Sequence, residues 1–366
     1  MVRELEFPGF IDVHVHFRDP GVPEAETTRS GLAAAAKGGF AAVVTMPNTS
    51  PACDSPVAIA RQIEAAAGSG TILLPSACIT KGRIGREVAD LESLAEAGAA
   101  FFTDDGSYVS DDRVMEEAMR RAAKLGVCIC QHAMDPKELA GGVIRDCRLA
   151  RALNLPIIPV STETVAIRRD LSICRVTGCR LHIQHISTAE GVELVRDAQR
   201  EGLPVTAEAT PHHLLLCCDE IPQDDANYKM APPLGNAEDR AELRRAVKDG
   251  VLMFATDHAP HPARTKANGF AASANGIIGL ETAIPITYRA MVEESGMPVD
   301  AWARAWWQMP RTILSERAAK RLDAALSTRI EVGERRIVDV ESFASLSRNC
   351  PYGGMEFDCW PKEVTR

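Results

Sequence analysis

The stretch Phe10-Ile-Asp-Val-His-Val-His16 alternates apolar residues with an acid and two imidazoles. Strand side chains alternate between faces, so Asp12, His14 and His16 are expected on one face and Val13 and Val15 on the other. Seven more short runs follow at Ala41–Met46, Thr71–Ala77, Ala99–Thr103, Val127–His132, Arg180–Ile186, Pro204–Ala209 and Val251–Asp257. They are rich in Val, Ile, Leu and Ala, the composition of strands covered on both faces. Amphipathic helical patterns lie between them at Pro56–Ala67, Asp111–Leu125, Thr188–Glu201 and Ala237–Lys248. The third of these has Thr188 as its N-cap. Eight strands alternating with helices predict an α/β fold of the (β/α)8 TIM-barrel type rather than a doubly wound sheet.

Beyond the eighth run, Glu281–Glu294 and Pro298–Trp307 read as helices, with Trp302 and Trp306 at i, i+4 on a buried face. From Ser327 the pattern weakens to a short strand at Arg336–Val340 and a loop-like tail through Asn349–Gly354. The 366 residues carry 41 basic and 50 acidic side chains, a net charge of −9. That balance, without a Lys/Arg cluster, argues against nucleic acid as a partner. No uncharged apolar window is long enough for a membrane helix, and the acidic start is unlike a signal peptide. The eleven cysteines sit mostly in apolar segments, among them Cys78, Cys128, Cys130 and Cys174. They read as reduced, buried thiols, which predicts a cytoplasmic setting.

All nine histidines fall between His14 and His261, as His14/His16, His132, His182/His185, His212/His213 and His258/His261. Each group ends a candidate strand or lies just beyond it, on the rim where barrel enzymes build their sites. His14 and His16 converge on one point, which suits a divalent cation of intermediate softness. Cys128 and Cys130 share the parity of His132 and read as interior filler before metal ligands. Parity separates His185, the ligand candidate, from His182, which is expected to face the helices. Asp105 and Asp257 close two rim segments, where a carboxylate bridges cations or accepts a proton. Asp104, beside them, reads equally well as a turn-forming residue ahead of Gly106.

Pro8-Gly-Phe-Ile-Asp-Val-His-Val-His-Phe-Arg-Asp-Pro-Gly21 resembles the opening signature of the dihydroorotases, within the amidohydrolase superfamily. Met46-Pro-Asn-Thr49, Phe102-Thr-Asp-Asp-Gly106, Thr210-Pro-His-His213 and Ala255-Thr-Asp-His-Ala-Pro-His261 recur in order, so the likeness spans roughly residues 8–320. The resemblance implies two divalent metal ions, zinc first, on His14, His16, Asp105, His132, His185 and Asp257. Asp105 falls where the bacterial branch has a bridging aspartate and other branches a carboxylated lysine. Arg18, Asn48 and His261 match positions that hold the substrate's carboxylate and ring, and Asn275-Gly276 matches a backbone contact. The implied activity is the reversible cyclisation of N-carbamoyl-L-aspartate to L-dihydroorotate in pyrimidine biosynthesis. It would use a hydroxide held by two metal ions, with Asp257 as proton shuttle. A homo-oligomer and an aspartate carbamoyltransferase partner are further implications.

Two departures stand out. Ala231, in Tyr228-Lys-Met-Ala-Pro-Pro-Leu234, occupies a position where relatives place Asn or Arg against the substrate. Few residues precede the first barrel strand, so the family's small β-sandwich is expected to be vestigial or absent, and residues 321–366 to be an extension that is its remnant. The competing readings are another cyclic-amide hydrolase, allantoinase- or hydantoinase-like, and a non-catalytic dihydroorotase-like subunit.

Overall fold

In the computed structural model, which describes residues 2–365, seven of the eight apolar runs form short parallel strands, and three further strands come from the two ends of the chain. The strands are β1 (Arg3–Pro8), β2 (Phe10–Val15), β3 (Phe40–Thr45), β4 (Ile72–Pro75), β5 (Ile129–Gln131), β6 (Leu181–Ile183), β7 (Val205–Ala209), β8 (Leu252–Phe254), β9 (Ser327–Ile337) and β10 (Glu356–Thr365). Two parallel sheets result, ordered β2-β3-β4 and β5-β6-β7-β8. The expected fourth barrel strand, Ala99–Thr103, forms no ladder of its own. It lies between the sheets through the single bridges Ala77↔Phe102 and Phe102↔Ile129, with Phe102 N–H donating to Cys128 O at 3.0 Å. At the opposite edges Val15 bridges His258, and His16 N–H donates to His258 O at 2.8 Å.

The two sheets turn one face toward each other. Ile11, Val13, Val44, Leu74, Cys130 and Met253 from both sheets pack there, over Ile313 and Leu314. Cys128 and Cys130 belong to this layer, so they fill it as expected. Ile129, Leu181, Ile183, Val205 and Phe254 face the other way and pack under the helices. The helices begin where side chains satisfy their first N–H groups. Asp111 accepts from Arg113 and Val114, Thr188 from Gly191, and Asn236 forms a capping box with Asp239. Trp302 and Trp306 are fully buried, and both indoles donate to Thr287 Oγ1, at 3.1 and 3.2 Å.

Three expectations need correction. Val13 and Val15 do not share a face: Val13 joins the inner layer and Val15 the outer one, because the β2–β3 register shifts between Asp12 and Val15. Asp12 Oδ1 accepts from both His14 N–H at 3.1 Å and Thr256 N–H at 3.0 Å, tying β2 to the segment after β8. His182 does not face the helices. It pairs in register with inward-facing Cys130, and its ring reaches Thr206 Oγ1 at 2.8 Å and Glu208 Oε2 at 2.9 Å. Parity fails to carry from His182 to His185 because β6 ends at Ile183 and His185 turns the chain with φ +35°.

Third, the strand expected at Arg336–Val340 is instead the longer β9, Ser327–Ile337, and β10 follows the stretch Asn349–Gly354, which is loop and turn as expected. β9 pairs antiparallel with both β1 and β10, forming a three-stranded sheet of order β1-β9-β10. Thr328, Ile330 and Val332 point inward, while Arg329 pairs outward with Glu6 and Glu363. Thr328 Oγ1 accepts from Phe10 N–H and donates to Gly39 O at 2.8 Å, fastening this sheet to β2. All eleven cysteines are free and buried. Among the described residues no helix is long and apolar enough to cross a membrane.

Candidate metal centre and substrate cavity

The strand ends bring six side chains together from five segments of the chain. His14 Nε2 and His16 Nε2 each lie 3.4 Å from a different oxygen of Asp105. His132 Nδ1 and His185 Nε2 each lie 3.5 Å from Asp105 Oδ1. Asp257 Oδ1 stands 3.0 Å from His16 Nε2 and 3.5 Å from His14 Nε2. Donor atoms about 2.0–2.1 Å from one tetrahedral ion sit roughly 3.3 Å apart, so these spacings fit coordination. Two three-residue groups emerge, His14–His16–Asp105 and Asp105–His132–His185, sharing one carboxylate.

Two further observations test whether cations fit. His14 Nε2 and Asp105 Oδ1 are buried without a hydrogen-bond partner. Each such orphan costs about 1–3 kcal/mol unless something else satisfies it. The local field also favours positive charge. Burial opposes a proton on His14, yet Asp105, Glu208 and Asp257 outweigh it and hold the imidazole well above its ordinary range. Burial would raise Asp105 and Asp257, but His14 with its neighbouring imidazoles pulls both carboxyls below theirs. A site that attracts a proton this strongly attracts a cation for the same reason.

Backbone strain concentrates at the same place. Six non-glycine residues among those described have positive φ, and Arg18, His185 and Asp257 are three of them. Such conformations cost about 1–3 kcal/mol each and persist where surrounding structure enforces them. Asp104, by contrast, turns away and accepts from Ile79 and Thr80 N–H at 2.9 and 3.1 Å, so it is a structural turn residue.

A cavity of about 600 Å³ opens above the centre. Arg18, Asn48, His261, Asn275 and Gly276 all line it, as does Ala231. Asn48 Oδ1 lies 2.9 Å from His16 Nδ1, and Arg18 Nε donates to Pro260 O at 3.2 Å. His261 Nε2 lies 2.6 Å from Asn275 O; burial and the charge of Arg18 lower its imidazole to about 3, so it is neutral.

One residue that sequence reasoning missed is Glu208, on β7. Its Oε1 lies 2.6 Å from His14 Nδ1 and accepts from His185 N–H at 3.2 Å; its Oε2 holds His182. A carboxylate behind an imidazole fixes the ring's orientation and raises its basicity toward a cation. The signal was present as an acid at an inward position of a buried strand, Ala207-Glu-Ala209. Glu208→Gln is expected to weaken cation binding by roughly 10–100-fold. Titration of the chelator-stripped protein with zinc measures this, and unchanged affinity would remove Glu208 from the centre.

A family model described as Dihydro-orotase-like matches residues 4–191. The chain is 44% identical over 365 residues to the dihydroorotase of Geobacillus thermodenitrificans, covering 98% of this chain and 85% of that one. It is 43% identical over 364 residues to the dihydroorotase of Bacillus caldolyticus, with 98% and 84% covered. The solved L-hydantoinase of Arthrobacter aurescens superposes with a TM-score of 0.82 at 24% identity, over 99% of this chain and 84% of that one, a likeness of fold. Fold, donor groups and relatives together define a cyclic amidohydrolase. Within that class, the chain belongs to the dihydroorotase family.

Proposed function

We propose that this chain is a working dihydroorotase, closing N-carbamoyl-L-aspartate to L-dihydroorotate and reopening it. The observation that carries the reading is Asp105 shared by two donor groups beneath a cavity walled by Arg18, Asn48 and His261. In this reading His14, His16, Asp105, His132, His185 and Asp257 hold two divalent cations, zinc by the nitrogen-rich donor set. When bound, such a pair acidifies water and polarises an amide carbonyl. The protein's own groups do the rest. Arg18 offers a planar fork to the substrate carboxylate, and its burial favours that pairing. Asn48 and His261 fix the ring above Asp257. In ring opening, Asp257 takes the proton of the attacking water as the C–O bond forms. It returns that proton to the ring nitrogen as the C–N bond breaks, and cyclisation runs the same steps in reverse.

The same reading joins the two parallel sheets, through Phe102 and the Val15–His258 bridge, into one eight-stranded barrel spanning residues 8–320. The sheet β1-β9-β10 is then the counterpart of the family's small β-domain, with residues 321–365 supplying two of its strands. We place the enzyme in the cytoplasm on the strength of its free, buried thiols, and as a homo-oligomer as the resemblance implies.

Ala231 offers the substrate no side-chain hydrogen bond at the cavity wall. A hydrogen bond to a charged group contributes about 1.5–3 kcal/mol, or roughly 10–150-fold. Ala231→Asn is therefore expected to lower KM for dihydroorotate by that factor, with kcat little changed. An unchanged KM would show that a neighbour already makes the contact. The reading as a whole is tested by assaying dihydroorotate turnover on protein whose cations are counted.

A further inference from the structure

The cavity wall formed by His261, Asn275 and Gly276 comes from two stretches that follow β8, separated by residues 262–274. Between those ends the intervening chain forms only two four-residue helical turns, Ala263–Lys266 and Gly269–Ala272. The stretches nevertheless touch closely. Ala259 N–H donates to Ile277 O at 2.8 Å, and a Cβ on Gly276, at φ +124°, would stand 2.7 Å from that of Ala259. Something must hold them in register.

Asn349, in the C-terminal segment, does so with a single amide. Its Nδ2 donates to Ala259 O at 2.9 Å and to Gly276 O at 3.0 Å. Its Oδ1 accepts from His261 N–H at 3.2 Å, and its backbone carbonyl accepts from Ile278 N–H at 3.0 Å. An asparagine amide has two donor and two acceptor positions. Three are used here, all on the wall, and the residue is only 4% exposed. The segment bearing it is anchored independently, since Ser347 Oγ donates to Ala25 O at 2.7 Å and Ser345 bonds Glu26 and Glu281.

We infer that Asn349 is a positioning residue for substrate binding: it sets the distance between His261 and Asn275–Gly276, and with it the fit of the cavity to the substrate's carboxylate and ring. This rests on the dihydroorotase reading of the cavity. The C-terminal segment is thereby part of the binding apparatus, although it touches no cation ligand.

Asn349→Asp keeps shape and acceptor but sets a carboxylate oxygen against two carbonyls. Losing two hydrogen bonds should raise KM for dihydroorotate about 10–100-fold, with kcat within about 3-fold and cation content unchanged. Asn349→Gln, which retains the amide one methylene further out, should give a smaller rise of the same kind and serves if the aspartate variant fails to fold. Thr287→Ala, which removes the buried hydroxyl that both indoles donate to and lines no part of the cavity, should leave KM unchanged even where it lowers the melting temperature. A lowered melting temperature with KM unchanged in Asn349→Asp, or an equal KM rise in Thr287→Ala, overturns the inference. If the wild-type protein binds orotate but does not turn over dihydroorotate, the proposed function fails. The ratio of orotate dissociation constants, variant to wild type, then decides the role of Asn349. Binding of neither compound by the wild type would defeat both.

Discussion

Asp257→Asn is expected to retain its cations and lose about 10²–10⁴-fold in turnover, the usual contribution of a positioned acid–base group. The substitution keeps the volume of a buried, cavity-lining side chain and leaves an oxygen facing His16, now 3.0 Å away. What disappears is the capacity to hold a proton in transit. His14, His16 and His185 keep the Asp257 carboxyl, against its burial, below its ordinary range, so it is ionised and ready to accept. The check pairs elemental analysis with steady-state assay on one sample. Retention of most activity would end Asp257's role as proton carrier, whereas loss of cations would recast it as chiefly a ligand.

Asp105→Ala should have a still larger effect. Asp105 is the single carboxylate common to both donor groups, within 3.4–3.5 Å of His14, His16, His132 and His185. Its loss removes the one carboxylate that faces all four buried imidazoles, leaving Asp257 beside only His14 and His16 and Glu208 behind His14. Cation content should fall from about two per chain to one or fewer, and turnover by more than about 1000-fold. A variant that kept both cations and a tenth of its activity would show that Asp105 does not hold the centre together.

Much of this arrangement was legible in the residues. The strand runs were visible because their faces are buried, so apolar character is nearly unbroken from Phe40 to Thr45. Histidines at the ends of such runs are conspicuous because burial there is costly without a partner. What escaped were matters of long range. The parity of β2 and of His182–His185 failed because a register shift and a positive φ are imposed by neighbouring strands. Ala99–Thr103 reads as a strand but makes only single bridges to its neighbours. β1 and β9 were missed because their outward positions are charged, and the pairing of Arg3–Pro8 with Ser327–Val332 joins the two ends of the chain. Glu208 and Asn349 were silent for a similar reason, since each acts through partners far away in the chain, His14 for the first and Ala259, His261 and Gly276 for the second.

On the proposed reading, imidazoles and carboxylates from five segments hold two cations that serve a cyclic-amide reaction. The most direct measurement counts cations by elemental analysis and assays dihydroorotate hydrolysis on the same purified protein, before and after chelation. About two cations per chain are expected, with turnover that disappears on their removal and recovers when zinc is added back. Protein that binds no divalent cation, or whose turnover survives chelation, would contradict that reading.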